Sequence, residues 1–238
     1  MRIRALVTTV SSLQAFQLIR FGALFLVSII FAKSGLSTVE IGYYETFLFI
    51  SSAVSYFWLS GIIQSYLVLH TSNKTFGRRE NGEASPELFN LFLLVAILSL
   101  VCFVIVLVFD QALLNPLLSG RQYPYTGLLM VFILVNQPGF LIEYVYLSLD
   151  KPFHILYYGV ISFSVHIIAV TLPVLCGYGV EYSLAALIFI SLIKIGWLGY
   201  LIWKHARINV SWKFMAEHLI VAYPLMLSLL LSGAAGYI

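Results

Sequence analysis

Seven long apolar runs, joined by short polar stretches, constrain this chain more than any other feature it has. They cover roughly residues 13–32, 41–69, 88–109, 125–147, 153–175, 182–203 and 219–238. A helix needs about 20 predominantly apolar residues to cross a hydrocarbon core of about 30 Å, and each run meets that length. The connectors are Lys33-Ser34-Gly35, residues 71–87, Asn115-Pro116, Asp150-Lys151-Pro152, residues 177–181 and residues 204–217. None leaves room for a soluble domain. Of the 238 residues, 61% are hydrophobic and 10% charged, where a soluble domain carries about 25% charged residues. A soluble core could not hide so much apolar surface, so the solvent for most of the chain is lipid. The sequence predicts an all-α membrane protein of about seven transmembrane helices.

The charges orient it. Arg2, Arg4, Lys74, Arg78, Arg79, Lys151, Lys204, Arg207 and Lys213 fall at the N-terminus and in alternate loops, on one side. The other side holds only Lys33 and Arg121. The positive-inside rule makes the basic side, and with it the N-terminus, cytoplasmic. A cleaved secretory signal does not fit, because the apolar stretch behind Arg4 runs over residues 5–32 and contains Gln14, Gln17 and Arg20; signal cores are about 7–15 residues long. An inside N-terminus also argues against a seven-helix receptor. The net charge of +3 is too small to point to nucleic acid. Cys102 and Cys176 lie in different apolar runs, and no disulfide is expected between them. The last run stops at Gly236-Tyr237-Ile238 without a polar exit, so the chain is expected to be part of a longer protein.

Polar groups inside lipid are costly and turn toward protein or water. At about 100° per residue, Gln14, Gln17, Arg20 and Ser28 share an arc of about 120° on the first segment. Gly42, Glu45, Ser52, Tyr56 and Ser60 share about 80° on the second, and Asn136, Gly139, Glu143 and Tyr146 form a similar stripe on the fourth. Stripes of this length point to a hydrated passage or a polar seam between helices.

Four ionisable residues fall within the predicted spans: Arg20, Glu45, Glu143 and Lys194. A charge at the bilayer centre costs about 2.5–3.5 kcal/mol even on insertion scales. Arg20 lies near mid-membrane, where it is an anion site, since guanidinium grips phosphate through paired hydrogen bonds, or one half of an ion pair with Glu143, or a cap on helix carbonyls. Lys194 sits about 13 Å inside the cytoplasmic boundary, facing a cavity or snorkelling. Glu45 lies near the outer surface and Glu143 about one turn from the cytoplasmic end. These two carboxylates are candidates for ion coupling or for an ion pair. Pro138 interrupts the fourth segment as a hinge or a static kink. His154, His166, Tyr157 and Tyr158 read as interfacial and packing residues. There is no nucleophile–base arrangement, Gly-rich phosphate loop or metal motif, so neither enzymatic activity, a cofactor nor a metal draws support.

Several local patterns carry a resemblance. The second segment opens Ser37-Thr38-Val39-Glu40-Ile41-Gly42-Tyr43-Tyr44 and ends Gly61-Ile62-Ile63-Gln64-Ser65. Pro138-Gly139-Phe140-Leu141-Ile142-Glu143-Tyr144, Lys151-Pro152, Tyr157-Tyr158-Gly159 and Ala222-Tyr223-Pro224-Leu225-Met226-Leu227-Ser228 follow. The chain resembles the bacterial polysaccharide biosynthesis flippases of the multidrug/oligosaccharidyl-lipid/polysaccharide exporter superfamily. The resemblance implies two six-helix lobes around a central cavity. Residues 1–210 would form the first lobe and residues 211–238 the first helix of the second. It implies alternating-access transfer of undecaprenyl-pyrophosphate-linked oligosaccharide across the bacterial cytoplasmic membrane, with cationic side chains holding the pyrophosphate. Arg20, Gln17, Lys194 and Asn136 are the candidate substrate-binding residues. Half a transporter lacks an opposing wall, so a second lobe or a second copy is the implied partner. An ion-coupled exporter of the same architecture is the alternative, as is a membrane-embedded polysaccharide polymerase or ligase.

Overall fold

A computed structural model of the chain describes residues 9–72, 87–114 and 123–235. Among them are eight helices: α1 (Thr9–Lys33), α2 (Thr38–Ser72), α3 (Glu87–Leu114), α4 (Thr126–Gly139), α5 (Leu141–Ser148), α6 (Pro152–Leu175), α7 (Val180–His205) and α8 (Trp212–Ala235). Helices α4 and α5 follow one another through a single residue and make one span, Thr126–Ser148. Seven spans result, each long and apolar enough to cross a membrane. The chain is an all-α, multi-pass membrane protein.

Local chemistry sets the helix boundaries. Ser37 caps α2: its hydroxyl accepts from the Glu40 N–H at 3.2 Å, while the Glu40 carboxylate accepts from the Ser37 N–H at 2.9 Å. This reciprocal arrangement satisfies two donors that a helix start leaves orphaned. Pro152 opens α6 at a position where the missing N–H costs nothing. Gly177, at φ 83°, turns the chain after α6 in a conformation that glycine adopts without strain. Inside the fourth span, Pro138 cannot donate to the carbonyl one turn back. The helix ends at Gly139, and the Phe140 N–H closes a tighter turn onto the Gln137 carbonyl at 3.2 Å.

The boundaries at the start of α1 and the end of α3 lie four and five residues outside the expected runs, and the largest difference is at the start of α8. Residues 204–217 read as a polar connector, yet α8 starts at Trp212 and carries Lys213 and Glu217 within it. The two charges lie one turn apart, 3.9 Å from each other and mostly exposed. They tolerate a helix at its solvated end as well as a loop, which is why charge content misplaced the start. Ser211 caps it, accepting from the Phe214 N–H at 3.3 Å.

Contacts at both ends establish the alternation of the spans. At one end Asn90, in the first turn of α3, clamps the α7–α8 connector. Its amide donates to the Asn209 carbonyl at 2.8 Å and accepts from the Ser211 N–H at 2.7 Å. Tyr66, late in α2, meets Ser148, at the end of α5, at 2.7 Å. At the opposite end the Tyr123 hydroxyl donates to the Tyr43 carbonyl at 2.6 Å, and burial pushes the pKa of that phenol up. Phe16 stacks on Tyr158, so α1 and α6 both start at the same end. That end carries Lys151, Lys204, Arg207 and Lys213 and is the cytoplasmic one by the positive-inside rule. Lys33 lies at the other. Arg2, Arg4, Lys74, Arg78, Arg79 and Arg121 fall outside the described residues.

Helix α1 packs on α6, α4 on α3 and α7, and α8 on α2 and α3. Glycines permit two of the closest approaches: a Cβ on Gly159 would stand 2.7 Å from Phe16, and one on Gly61 would stand 2.5 Å from the Met226 Cγ and 3.3 Å from its backbone nitrogen. The outer side of α3 presents Leu100, Val101, Val104, Ile105 and Val108 to the surroundings, as a lipid-facing helix should. Cys102 is buried and Cys176 exposed, both as free thiols.

The Gly61 contact generates a prediction. Gly61→Val should lower the thermal unfolding midpoint of the detergent-solubilised chain, at a cost of about 1–3 kcal/mol from overpacking. Gly61→Ala should cost less, because the Met226 side chain can move, and Met226→Ala should relieve it. An unchanged midpoint for Gly61→Val would mean that α2 and α8 do not meet there.

Candidate functional site

Halfway along the spans, six helices enclose a cavity of about 150 Å³. A water needs about 10–15 Å³ measured this way, so the space holds roughly ten. Arg20 enters from α1, Ser51 and Ser52 from α2, Asn136 from α4, Glu143 from α5, His166 from α6, and Ser191 and Lys194 from α7. The remaining wall is apolar and aromatic, with Phe16, Phe132, Phe140, Tyr158 and Phe163 among its side chains.

The fold explains each placement. Arg20 follows Phe16 by one turn on α1, and Phe16 is buried against Tyr158 and Phe163 of α6. That packing turns the Arg20 face toward the bundle. The guanidinium carbon lies 5.2 Å from the centre of the Phe140 ring, a cation–π contact. Lys194 lies on α7, where its stem passes over Gly139; a Cβ there would be 3.1 Å from the Lys194 Cβ. Asn136 and Ser191 join α4 to α7, the Ser191 hydroxyl lying 3.2 Å from the Asn136 Oδ1 that accepts from it. Glu143 is buried on α5. Among the described residues its carboxylate forms no ion pair within 4.0 Å, and neither Arg20 nor Lys194 does so. Arg20, Lys194 and Glu143 thus share one cavity without a closed ion pair among the described residues.

The candidates from sequence divide. Arg20, Lys194, Asn136 and Glu143 converge on the cavity. Gln17 does not line it and lies half-buried on α1. Glu45 also stays outside; it is exposed near the outer end of α2 and accepts from the Ser28 hydroxyl at 3.3 Å, tying α1 to α2. Pro138, the hinge candidate, is buried in the last turn of α4 and does not line the cavity. Two residues read as packing groups are on the wall instead, Tyr158 and His166. The buried Nε2 of His166 has no hydrogen-bond partner among the described residues. His154 and Tyr157 are exposed, as interfacial residues should be. His166 could have been found only by knowing that its face of α6 meets the Lys194 face of α7.

The stripe on α2 faces outward. Of the stripe expected on this 32-residue span, Gly42, Glu45, Ser52 and Tyr56 are exposed and Ser60 is half-buried, while Phe49, Ala53 and Gln64 are exposed on the same side. A carboxylate, an amide and hydroxyls cannot face acyl chains over that length without large cost. Ser52 is both exposed and on the cavity wall, and Arg20 is half-exposed. The cavity thus opens between α1 and α2 onto this polar face.

Fold and site together define a multi-pass α-helical membrane protein with a polar cavity at mid-span. No known family, curated protein or solved structure matches the chain.

Cysteine scanning tests the polar face. With Cys102 and Cys176 replaced by serine, Ser52→Cys and Tyr56→Cys should react with a membrane-impermeant maleimide at least about 10-fold faster than Val104→Cys on α3, because the thiolate that reacts forms only in water. Equal inertness of all three in intact membranes would place the α2 stripe in lipid.

Proposed function

We propose that this chain translocates an undecaprenyl-pyrophosphate-linked oligosaccharide from the inner to the outer leaflet of a bacterial cytoplasmic membrane, by alternating access, in surface polysaccharide synthesis. One observation carries the reading. Arg20 and Lys194, 174 positions apart in sequence, line one cavity of about 150 Å³ within the spans. Two cations there, against one carboxylate, are expensive unless an anion uses them. A guanidinium offers a pyrophosphate paired charge-assisted hydrogen bonds, and an ammonium adds a mobile point charge. Asn136 and Ser191 supply neutral hydrogen-bonding groups beside them.

The cavity is too small for an oligosaccharide, since pockets even for drug-sized ligands run to about 300–1,000 Å³. The oligosaccharide would lie outside it, along the exposed polar stripe of α2, while the pyrophosphate engages the cavity mouth at Arg20. A second lobe, or a second copy of the chain, would supply the wall opposite that face. The resemblance of Ser37–Tyr44, Pro138–Tyr144 and their companions to polysaccharide flippases supports the same substrate class. A specific feature favours a second reading, an ion-coupled exporter of this architecture: Glu143 is a buried carboxylate on the same wall, as a coupling ion would require.

Transfer of a fluorescent undecaprenyl-pyrophosphate sugar across vesicles containing the full protein tests the reading. Arg20→Ala should slow it about 10–100-fold, the loss of a charge-assisted contact worth roughly 1.5–3 kcal/mol. Lys194→Ala should act in the same direction, and Arg20→Lys should retain part of the rate because charge survives while the planar fork does not. Unaltered transfer in both alanine variants would remove the cation pair from the mechanism, and drug efflux in place of sugar transfer would select the exporter. A further outcome separates the readings: Glu143→Gln should abolish ion-driven accumulation while leaving binding of the lipid intact.

A further inference from the structure

The two cations of the site come from distant helices, yet both rest on consecutive residues of one short segment. Gly139 is the last residue of α4, and the stem of Lys194 occupies the space its side chain would need: a Cβ would stand 3.1 Å from the Lys194 Cβ and 3.4 Å from its Cδ. Phe140 is the single residue between α4 and α5, and its ring centre lies 5.2 Å from the Arg20 guanidinium carbon. Glu143 follows one turn later on α5. An unbroken helix would place the side chains of residues 139 and 140 about 100° apart. At the α4–α5 junction Phe140 keeps a helical backbone, φ −68° and ψ −14°, so the two positions point in neighbouring directions, one toward each cation.

We propose that the Pro138-Gly139-Phe140 break is the positioning device of the cation pair, Gly139 seating the Lys194 stem and the Phe140 ring holding the Arg20 guanidinium. The proposal deepens the anion reading above and rests on it for its purpose, though not for its geometry. Each residue acts on its own cation. Gly139 works through shape: α7 can approach the end of α4 only where no Cβ intervenes, and the Lys194 side chain is thereby directed along the cavity wall. Phe140 works through charge distribution. The negative face of its ring attracts a guanidinium that has lost part of its hydration, without the permanent neutralisation that a carboxylate would impose. A cation held in this way stays available to an incoming anion.

Chemical modification of the full chain in detergent, read by peptide mass spectrometry, tests this without a substrate. Phenylglyoxal reports Arg20 and an acetylating ester reports Lys194, with the exposed Arg207 and Lys204 as references in the same molecule. Phe140→Leu keeps an apolar side chain but removes the ring, and Arg20 modification should rise roughly threefold while Lys194 is unchanged. Phe140→Tyr should restore the wild-type rate. Gly139→Ala should raise Lys194 acetylation roughly threefold, by displacing the stem from its seat, while Arg20 is unchanged. General loosening of the fold would instead raise both cations together and expose the buried Cys102 to a maleimide, and that result would overturn the proposal. So would rates that stay flat in every variant. A response confined to one variant removes the assignment from the other residue. Inorganic pyrophosphate, added to the wild type, should protect both cations. Failure of protection sinks the anion reading while the variant pattern still decides whether the break positions the pair.

Discussion

The structure depends on one constraint: charged side chains placed halfway across the spans must find either a partner or water. Arg20, Lys194 and Glu143 do so collectively. Each would cost about 2.5–3.5 kcal/mol at the centre of a lone span, and none forms an ion pair within 4.0 Å among the described residues. They are instead brought to one polar cavity, which requires α1, α5 and α7 to present particular faces to one another. The packing of the bundle follows. Phe16 must be buried against α6 to turn Arg20 inward, and α7 must lie close enough to Gly139 for the Lys194 stem to pass. The polar groups therefore select one rotation of each helix out of several that an all-apolar seam would allow.

The short patterns that resemble polysaccharide flippases have physical roles of their own. Ser37 and Glu40 form a capping box that starts α2. Gly61 and Met226 are opposite sides of the α2–α8 contact, and Gly159 admits Phe16. Pro138 and Gly139 end α4 where Lys194 crosses. Most of these residues shape the bundle rather than touch a substrate. A chain that shared them would share helix starts, crossing points and a break in the fourth span, and the chemistry would still be decided by what lines the cavity.

Legibility in the sequence followed the strength of each signal. The seven spans were readable because apolar runs of this length have no other stable use. The start of α8 was not, because Lys213 and Glu217 satisfy a solvated helix end and a loop alike. Helical angles grouped Gln17 with Arg20 and Glu45 with Ser52 correctly, but an angle says nothing about which neighbour a face meets. Gln17 and Glu45 consequently lie outside the cavity, whereas Arg20 and Ser52 line it. His166 shows the opposite failure. A single histidine among apolar residues has no periodic partner on its own helix, and its significance comes from Lys194 and Arg20 arriving from α7 and α1.

The cavity and the outward polar face of α2 have dimensions suited to different parts of one amphiphile. About 150 Å³ admits a small anion and its water but is too small for an oligosaccharide. The α2 face is long enough to follow an extended headgroup, since a 32-residue helix rises about 48 Å. The two meet where Ser52 and Arg20 reach the surface. Under the proposed function this junction divides the work. The anion is recognised inside the lobe by charge, and the oligosaccharide is accommodated outside it by hydroxyl, amide and carboxylate groups that discriminate little between sugars. Such a division would let one cation pair serve many polymers, because the part of the substrate that varies never enters the part of the protein that is tightly packed.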